Sequence, residues 1–263
     1  MTMNAVDSVA ILGIRFPRLF VEEAVALLLS KLRAASAGGP STGVCFPDMS
    51  TLNLAVEQPQ FRRLLQRRMI VLADGAGVMW VASCRGQPLP ANLNGTDLVP
   101  RLLLAAPAGT TVFLLGGRDG VAEKTRERFA TRFAHLRFVG SSHGYLDAEG
   151  EAQLVERLRV LRPVVILVGM GNPQQVELID RHLDDPSLRG TLWLAVGGQF
   201  DYYGGALRRA PQLLRRLRLE WLYIVMQQPH KLRRYFVGIP RYLGRCALAA
   251  LTGSHDISDG ESA

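Results

Sequence analysis

With 263 residues the chain has room for one large α/β domain, or for a domain and an appendage, and a hydrophobic fraction of 48% is enough for a real core. The net charge of +8 is local: residues 206–245 hold ten Lys/Arg and one acid, against 21 basic and 22 acidic residues elsewhere, so the basicity marks a localised partner rather than the fold. Three scattered cysteines (Cys45, Cys84, Cys246) exclude a disulfide framework or zinc site, the first residues carry no secretory pattern, and no stretch reaches the ~18 apolar residues of a spanning helix.

Short β-branched runs alternate with longer helical patterns. The expected order is a strand at Val9–Ile14, a helix at Val21–Ala35, a strand at Gly43–Pro47, a helix at Gln60–Arg67 and a strand at Met69–Leu72. Helices at Val78–Cys84 and Asp97–Ala105 follow, then a strand at Thr111–Leu115, a helix at Val121–Ala134 and a strand at Leu136–Val139. A helix at Glu151–Leu161, a strand at Val164–Val168, a helix at Pro173–Leu183 and a strand at Leu192–Val196 complete the series. Alternation of this kind implies an α/β fold, a Rossmann-like and mostly parallel sheet with helices on both faces. Strands such as VVILVG are apolar throughout, as burial on both faces requires.

Beyond residue 205 the strand signals stop. Leu213, Leu214, Leu217, Trp221 and Val225 share one helical face, and Arg208, Arg215, Arg216 and Arg218 flank it. Pro211 suits a first helical turn, while Pro229 and Pro240 break the segment into short helices. The organisation read here is a main domain over 1–205, a C-terminal basic helical appendage over 206–250, and a polar, disordered tail over 251–263.

Ligands of open parallel sheets bind at the carboxyl ends of the strands. Here those ends are rich in glycine: FLLGGRDG with Gly116 and Gly117, ILVGMGNPQQ with Gly169 and Gly171, and LAVGGQFDYYGG with Gly197 and Gly198. Glycine lets the backbone approach a ligand, and each following helix start offers N–H groups to an anion. Three such loops favour a nucleotide or sugar-nucleotide pocket over plain tight turns. The dinucleotide motif lacks its third glycine and comes late, and a Walker A loop is absent, so neither an NAD enzyme nor an NTPase is expected. No cofactor is expected, and the scattered histidines and the Asp184–Asp185 pair give no metal site.

Asp74 follows the apolar run MIVLA and precedes Gly75 and Gly77. It reads equally as a general base under a pocket and as the N-cap of the next helix. Asp97 in NGTDL reads first as a cap, and Asp201 after GGQF either binds a ligand hydroxyl or caps a turn.

The pieces FPDMSTLNLA, VLADGAGV, NLNGTDLVPR, VFLLGGRDGVAE, VGSSHGYLD, ILVGMGNPQQ, VGGQFDYYGG, RRAP, LEWLY and QQPHKLRRY, in that order, resemble the WecG/TagA/CpsF glycosyltransferase family, also called glycosyltransferase family 26. The resemblance runs from about Ile11 to Leu243. It implies transfer of a hexose-type sugar from a UDP-sugar to an undecaprenyl-diphosphate-linked saccharide, with inversion and without metal, in cell-surface polysaccharide synthesis. It implies that Asp74 is the base, and that Arg209, Arg233 and Arg234 hold the acceptor diphosphate at an anionic membrane surface. Asp48, Thr51, Asn94, Thr96, Asn172 and Gln175 join the glycine loops as expected substrate contacts. The expected location is cytoplasmic, on the inner face of the cell membrane. A monomer and a homo-oligomer formed through the apolar appendage face both remain open.

The chain departs from the family pattern at Asp48, Ser50, Val176, Ile224 and Gln228, where relatives often carry Asn, Asp, Glu, Arg and Glu. Two other classes compete with the transferase reading. A nucleic-acid-binding protein would explain the basic segment but leaves the glycine loops unexplained, so no nucleic-acid partner is expected. A non-catalytic membrane-associated scaffold would fit the departures but leaves the retained Asp74 unexplained.

Overall fold

The structure is a computed structural model, and it describes residues 7–205, 211, 214, 220–227 and 232–253. Eight strands are formed. β1 (Ser8–Ile11) and β2 (Ile14–Pro17) make an antiparallel hairpin, where the sequence suggested one strand over Val9–Ile14. The apolar run is continuous, but Leu12 and Gly13 take positive φ of 50° and 80° and turn the chain back. Two successive residues with φ > 0 are what a tight two-residue hairpin requires. The side chains of Arg85 and Gln66 donate to the carbonyls of Ala10 and Gly13 and fasten the hairpin to the helices behind it.

The other six strands form one parallel sheet: β3 (Thr42–Cys45), β4 (Met69–Val71), β5 (Thr111–Gly116), β6 (Arg137–Ser142), β7 (Val165–Gly169) and β8 (Leu192–Ala195). Their order is β4-β3-β8-β7-β5-β6, and every pairing is parallel. The first sheet strand, β3, lies between β4 and the last strand, β8. The chain therefore leaves β3 toward one edge and returns beside it from the other. That is a topological switch point, with its crevice above the carboxyl ends of β3 and β8.

Side chains alternate between two cores. Phe113, Leu115, Ile166, Val168 and Trp193 face one layer, and Val112, Leu114, Val165, Leu167 and Leu194 the other. The first layer holds α2 (Met49–Glu57), α3 (Pro59–Arg68), α4 (Ala76–Cys84), α7 (Ala148–Leu161) and α8 (Gln174–Leu183). The second holds α1 (Val21–Ser36), α5 (Gly95–Ala105), α6 (Val121–Arg132) and the short α9 (Gln199–Tyr203). Beyond them come α10 (Glu220–Gln227) and α11 (Leu232–Thr252), which runs on through Pro240, where the sequence suggested a break. α11 lies on α2 and places Tyr242, Cys246 and Ala249 in the first core. The strand expected to reach Pro47 stops at Cys45, because Asp48 already starts a helix.

An ion cluster ties α7 to α8. Glu151 accepts from Arg181 at 3.0 and 2.8 Å and meets His182 at 2.9 Å. The Arg181 guanidinium, and after it His182, hold the Glu151 carboxyl below the usual carboxylate range. A depressed folded-state pKa contributes stability above the unfolded value of 4.5, and that contribution is lost as pH falls through the lower folded value. Arg181 is 52% exposed, so solvent screens the pair and Glu151→Gln is expected to cost only about 1 kcal/mol or less at pH 7. Thermal melts of both proteins across pH 3–7 check this: the difference should close as the pH drops below 4.5. A difference that does not narrow at all as the pH falls would mean that the cost is one of packing.

Candidate active site

The switch-point crevice is floored by hydrogen bonds between side chains. After β3 the chain runs through Phe46 and Pro47 to Asp48, whose extended backbone caps α2. Asp48 Oδ1 accepts both the N–H and the hydroxyl of Thr51 at 2.9 Å. Thr51 Oγ1 in turn accepts Asn172 Nδ2 at 3.0 Å, from the loop after β7. Asn172 Oδ1 accepts Gln175 Nε2 at 2.9 Å, and Gln175 Oε1 accepts the Gly197 N–H at 2.9 Å. One chain of polar contacts thus joins the ends of β3, β7 and β8. Gln175 is 2% exposed. Thr51, Asn172 and Gln175, expected to contact substrate, use these bonds to hold one another.

Asp74 stands beside this floor, three residues past β4. Its N–H donates to the Pro47 carbonyl at 3.1 Å, so the ends of β3 and β4 are tied together. Ala73 accepts the Leu93 N–H at 2.9 Å, and the Gly75 N–H donates to Asn92 Oδ1 at 2.9 Å. The N-cap position of α4 is Gly75, at φ 94°, so Asp74 stands one residue before the helix cap. The half-buried carboxylate is held at the edge by its backbone on both sides. Burial pushes the neighbouring Cys45 thiol up to about 12, and the charges of Asp48 and Asp74 add to the rise. Both carboxylates therefore lie around one point. Asn92 was not singled out from sequence; its signal is an Asn two positions before the helix-capping Asn94.

The cap of α5 is Asn94 and not Asp97, which the sequence suggested: Asn94 Oδ1 accepts the Asp97 N–H at 2.9 Å, and Asp97, inside the first turn, accepts Asn94 Nδ2 at 3.0 Å through Oδ2. The Thr96 carbonyl accepts the Tyr203 hydroxyl at 2.8 Å. Asp201 lies on α9, just past Gly197 and Gly198. The neighbouring Gln199, which sequence reasoning passed over, is buried against Gly95 and Phe46, and its Oε1 finds no partner among the described residues.

The remaining glycines bring backbones together. Gly116 sits at φ 143°, and any Cβ there would run into the Gly169 carbonyl. The Gly117 N–H donates to that carbonyl at 2.9 Å, and the Gly117 carbonyl accepts the Gly144 N–H at 2.9 Å. At this end a cleft of about 760 Å³ opens between the loop after β5 and the segment after β6, lined among others by Ser141, Ser142, His143 and Tyr145. Tyr145 is 72% exposed. Glu123, in the wall, is held in its charged form by Arg126 and Ser141. None of these lining residues was a site candidate from sequence, although the runs FLLGGRDG and VGSSHGYLD, which supply the walls, were both singled out. Gly171, at φ 80°, turns the chain just before Asn172.

Arg209 lies outside the described residues. Arg233 and Arg234 are on α11, but their side chains are outside what is described. Among the described residues no helix is long and apolar enough to cross a membrane. No group of three His, Cys, Asp or Glu among them is placed to hold a metal ion.

This is the architecture of the Rossmann-like α/β enzymes, which take a nucleotide-bearing ligand across the carboxyl edge of a parallel sheet. The chain belongs to the WecG/TagA/CpsF family of glycosyl transferases, whose profile matches residues 9–256. It is a glycosyltransferase. It is similar to an N-acetylglucosaminyldiphosphoundecaprenol N-acetyl-beta-D-mannosaminyltransferase of Staphylococcus aureus (strain MW2), at 31% identity over 75% of this chain and 76% of the relative. A protein of the same description from Staphylococcus aureus (strain NCTC 8325 / PS 47) is 33% identical over 65% of this chain and 66% of its own length.

Proposed function

We propose that the chain moves a sugar from a UDP-sugar to a polyprenyl-diphosphate-linked saccharide, in one inverting displacement at the carboxyl edge of the sheet. The observation that carries this reading is the placement of Asp74 and the cleft at opposite ends of that edge. From β4 to β6 there are five inter-strand gaps of about 4.8 Å, so the edge is roughly 24 Å long. A nucleotide sugar laid along it has its base in the cleft beside Tyr145, its diphosphate over the glycine loops, and its sugar beside Asp74.

The chemistry follows from that layout. Asp74 takes the proton of the acceptor hydroxyl, and the acceptor oxygen bonds to the anomeric carbon. The bond from that carbon to the diphosphate breaks on the opposite face, and UDP leaves with the electron pair. UDP is a good leaving group, so the general acid of a glycosidase is not needed. The Gly117 and Gly197 N–H groups are engaged within the protein. Stabilisation of the growing diphosphate charge therefore falls to the remaining N–H groups of the Gly171–Asn172 and Gly198 loops and to the arginines of the basic segment. Asp48 is the weaker candidate base, because its Oδ1 is occupied as the cap of α2.

The membrane side is assigned to α11. Phe236, Leu248 and Leu251 are exposed on it, at 65%, 62% and 86%, while Tyr242, Cys246 and Ala249 are buried. An apolar outer face among arginines suits the surface of an anionic leaflet, where the acceptor lipid lies.

Two measurements test the finer parts. Nuclear magnetic resonance of the product should show the transferred sugar with its anomeric configuration inverted, and EDTA should leave the rate unchanged. Retention, or loss of the rate in EDTA, would contradict the single metal-free displacement. Tyr145→Ala should weaken UDP binding about tenfold by calorimetry, since stacking of a base on an aromatic ring contributes ~1–3 kcal/mol. An unchanged affinity would move the nucleoside out of the cleft.

A further inference from the structure

α11 does more than cover the first core. Asn53, in the middle of α2 and 7% exposed, donates from Nδ2 to the Gly238 carbonyl at 2.9 Å. Arg245 Nη1 donates to the Asn53 carbonyl at 2.9 Å and to Asn53 Oδ1 at 3.0 Å. Arg245 Nη2 reaches Glu57 Oε1 at 2.9 Å, and Arg241 reaches the same oxygen at 3.2 Å. The buried amide of Asn53 is thus satisfied on both sides by one helix, and the last turn of α2 is gripped by two arginines of that helix. A helix that only covered a core would need apolar side chains here. Fully paired buried polar groups, by contrast, fix one relative placement of the two helices.

The other end of α2 is the catalytic edge. Its cap is Asp48, and Thr51, two residues before Asn53, holds Asn172. The preceding Pro47 carbonyl anchors the Asp74 N–H. Nine helical residues span only about 13 Å and behave as one stiff body, so a shift at the grip is a shift at the cap. Tyr242 of α11 lies near that cap. Burial and the Cys246 thiol raise its hydroxyl above the ordinary tyrosine range, and the Asp48 charge adds to the rise.

We infer that α11 is a positioning element for the catalytic edge, acting through the grip of Arg245 on Asn53 and Glu57 to set Thr51, Asp48 and the Pro47 anchor of Asp74. The inference rests on reading that edge as the place of sugar transfer. Misplacement of reacting groups by a fraction of an ångström is costly, since about 1 Å loses on the order of 10²-fold in rate. The nucleoside cleft lies at the far end of the sheet and is untouched by α2.

The test uses the full chain with Arg245→Ala, Arg245→Lys, Thr51→Val and the Arg245→Ala/Thr51→Val pair. Arg245→Ala should lower kcat about tenfold, with the KM for the donor unchanged. Arg245→Lys, which keeps one donor to α2, should recover part of the loss. The double variant should be no slower than Thr51→Val alone, because both changes act through one path. Hydrogen exchange at the Thr51 and Leu52 amides should quicken about tenfold in Arg245→Ala, with α6 unaffected. Additive losses, an unchanged kcat, or unchanged exchange at Thr51 would each overturn the inference. If no donor and acceptor pair gives transfer, exchange alone decides. Faster exchange at Thr51 then upholds the mechanical link while the transfer reading falls, and unchanged exchange overturns the link itself.

Discussion

Asp74→Asn is expected to lower sugar transfer about 10²–10⁴-fold, the usual contribution of a positioned general base, while UDP affinity and the melting temperature should stay close to those of the parent. The substitution changes one oxygen for a nitrogen. A carboxamide does not take the acceptor proton at neutral pH. The backbone that places the residue is left alone: its N–H still donates to Pro47, Gly75 still meets Asn92, and Ala73 still accepts from Leu93. The N-cap position of α4 is Gly75, one residue further on. Undiminished transfer by this variant would remove Asp74 from the chemistry and bring Asp48 forward. Because Asp48 caps α2, its own substitution should affect the fold as well as the rate, typically by about 1 kcal/mol for a lost cap. Melting curves of the two variants separate the roles.

Gln175→Leu acts on the floor of the crevice. Leucine fills much of the space but removes both amide contacts. The Gly197 N–H and Asn172 Oδ1 are left without the partners they have now, at 2.9 Å each. Both groups are only partly buried, so each orphan costs the low end of about 1–3 kcal/mol and the sum is roughly 2–3 kcal/mol. At about 2–4 °C per kcal/mol for a chain of this size, the melting temperature should fall by roughly 4–12 °C. Calorimetry checks it. Transfer should fall too at temperatures where the variant is still folded, because the loops after β7 and β8 lose their common tie. A variant that melts with the parent would mean that the hydrogen-bond chain does not hold the edge.

The strands were legible in the sequence for a physical reason. A parallel strand is buried on both faces, so runs such as VFLLG and VVILVG stand out. The hairpin was misread for the same reason. VAILGI is apolar throughout, and only the positive φ at Leu12 and Gly13 shows the turn inside it. α2 was not predicted because FPDM reads as the exit of a strand, although Asp48 followed three residues later by Thr51 is a capping signal. α9, five residues long, is too short for a helical period to show.

The site was legible in part. A carboxylate after an apolar strand and glycines at strand ends are local signals, and they are what single out Asp74 and the loops as candidates. What the polar residues do with one another is not local. Asn172 meets Thr51 across 121 positions, and Arg245 meets Asn53 across 192. No spacing rule reaches that far, so the sequence offers Thr51, Asn172 and Gln175 as ligand contacts and is silent on the bonds among them. The cleft beside Tyr145 was missed because its walls come from separate loops, and no spacing shows that FLLGGRDG and VGSSHGYLD face each other.

The most direct test of the account is transfer itself. The purified chain, in detergent and with EDTA present, would be offered a panel of UDP-sugars with polyprenyl-diphosphate-linked mono- and oligosaccharides, and each acceptor weighed by mass spectrometry. The account predicts that one acceptor gains the mass of one sugar and that UDP appears only when that acceptor is present. No gain from any pair, by a protein that still binds UDP, would contradict it and favour a scaffold that holds nucleotide without turning it over.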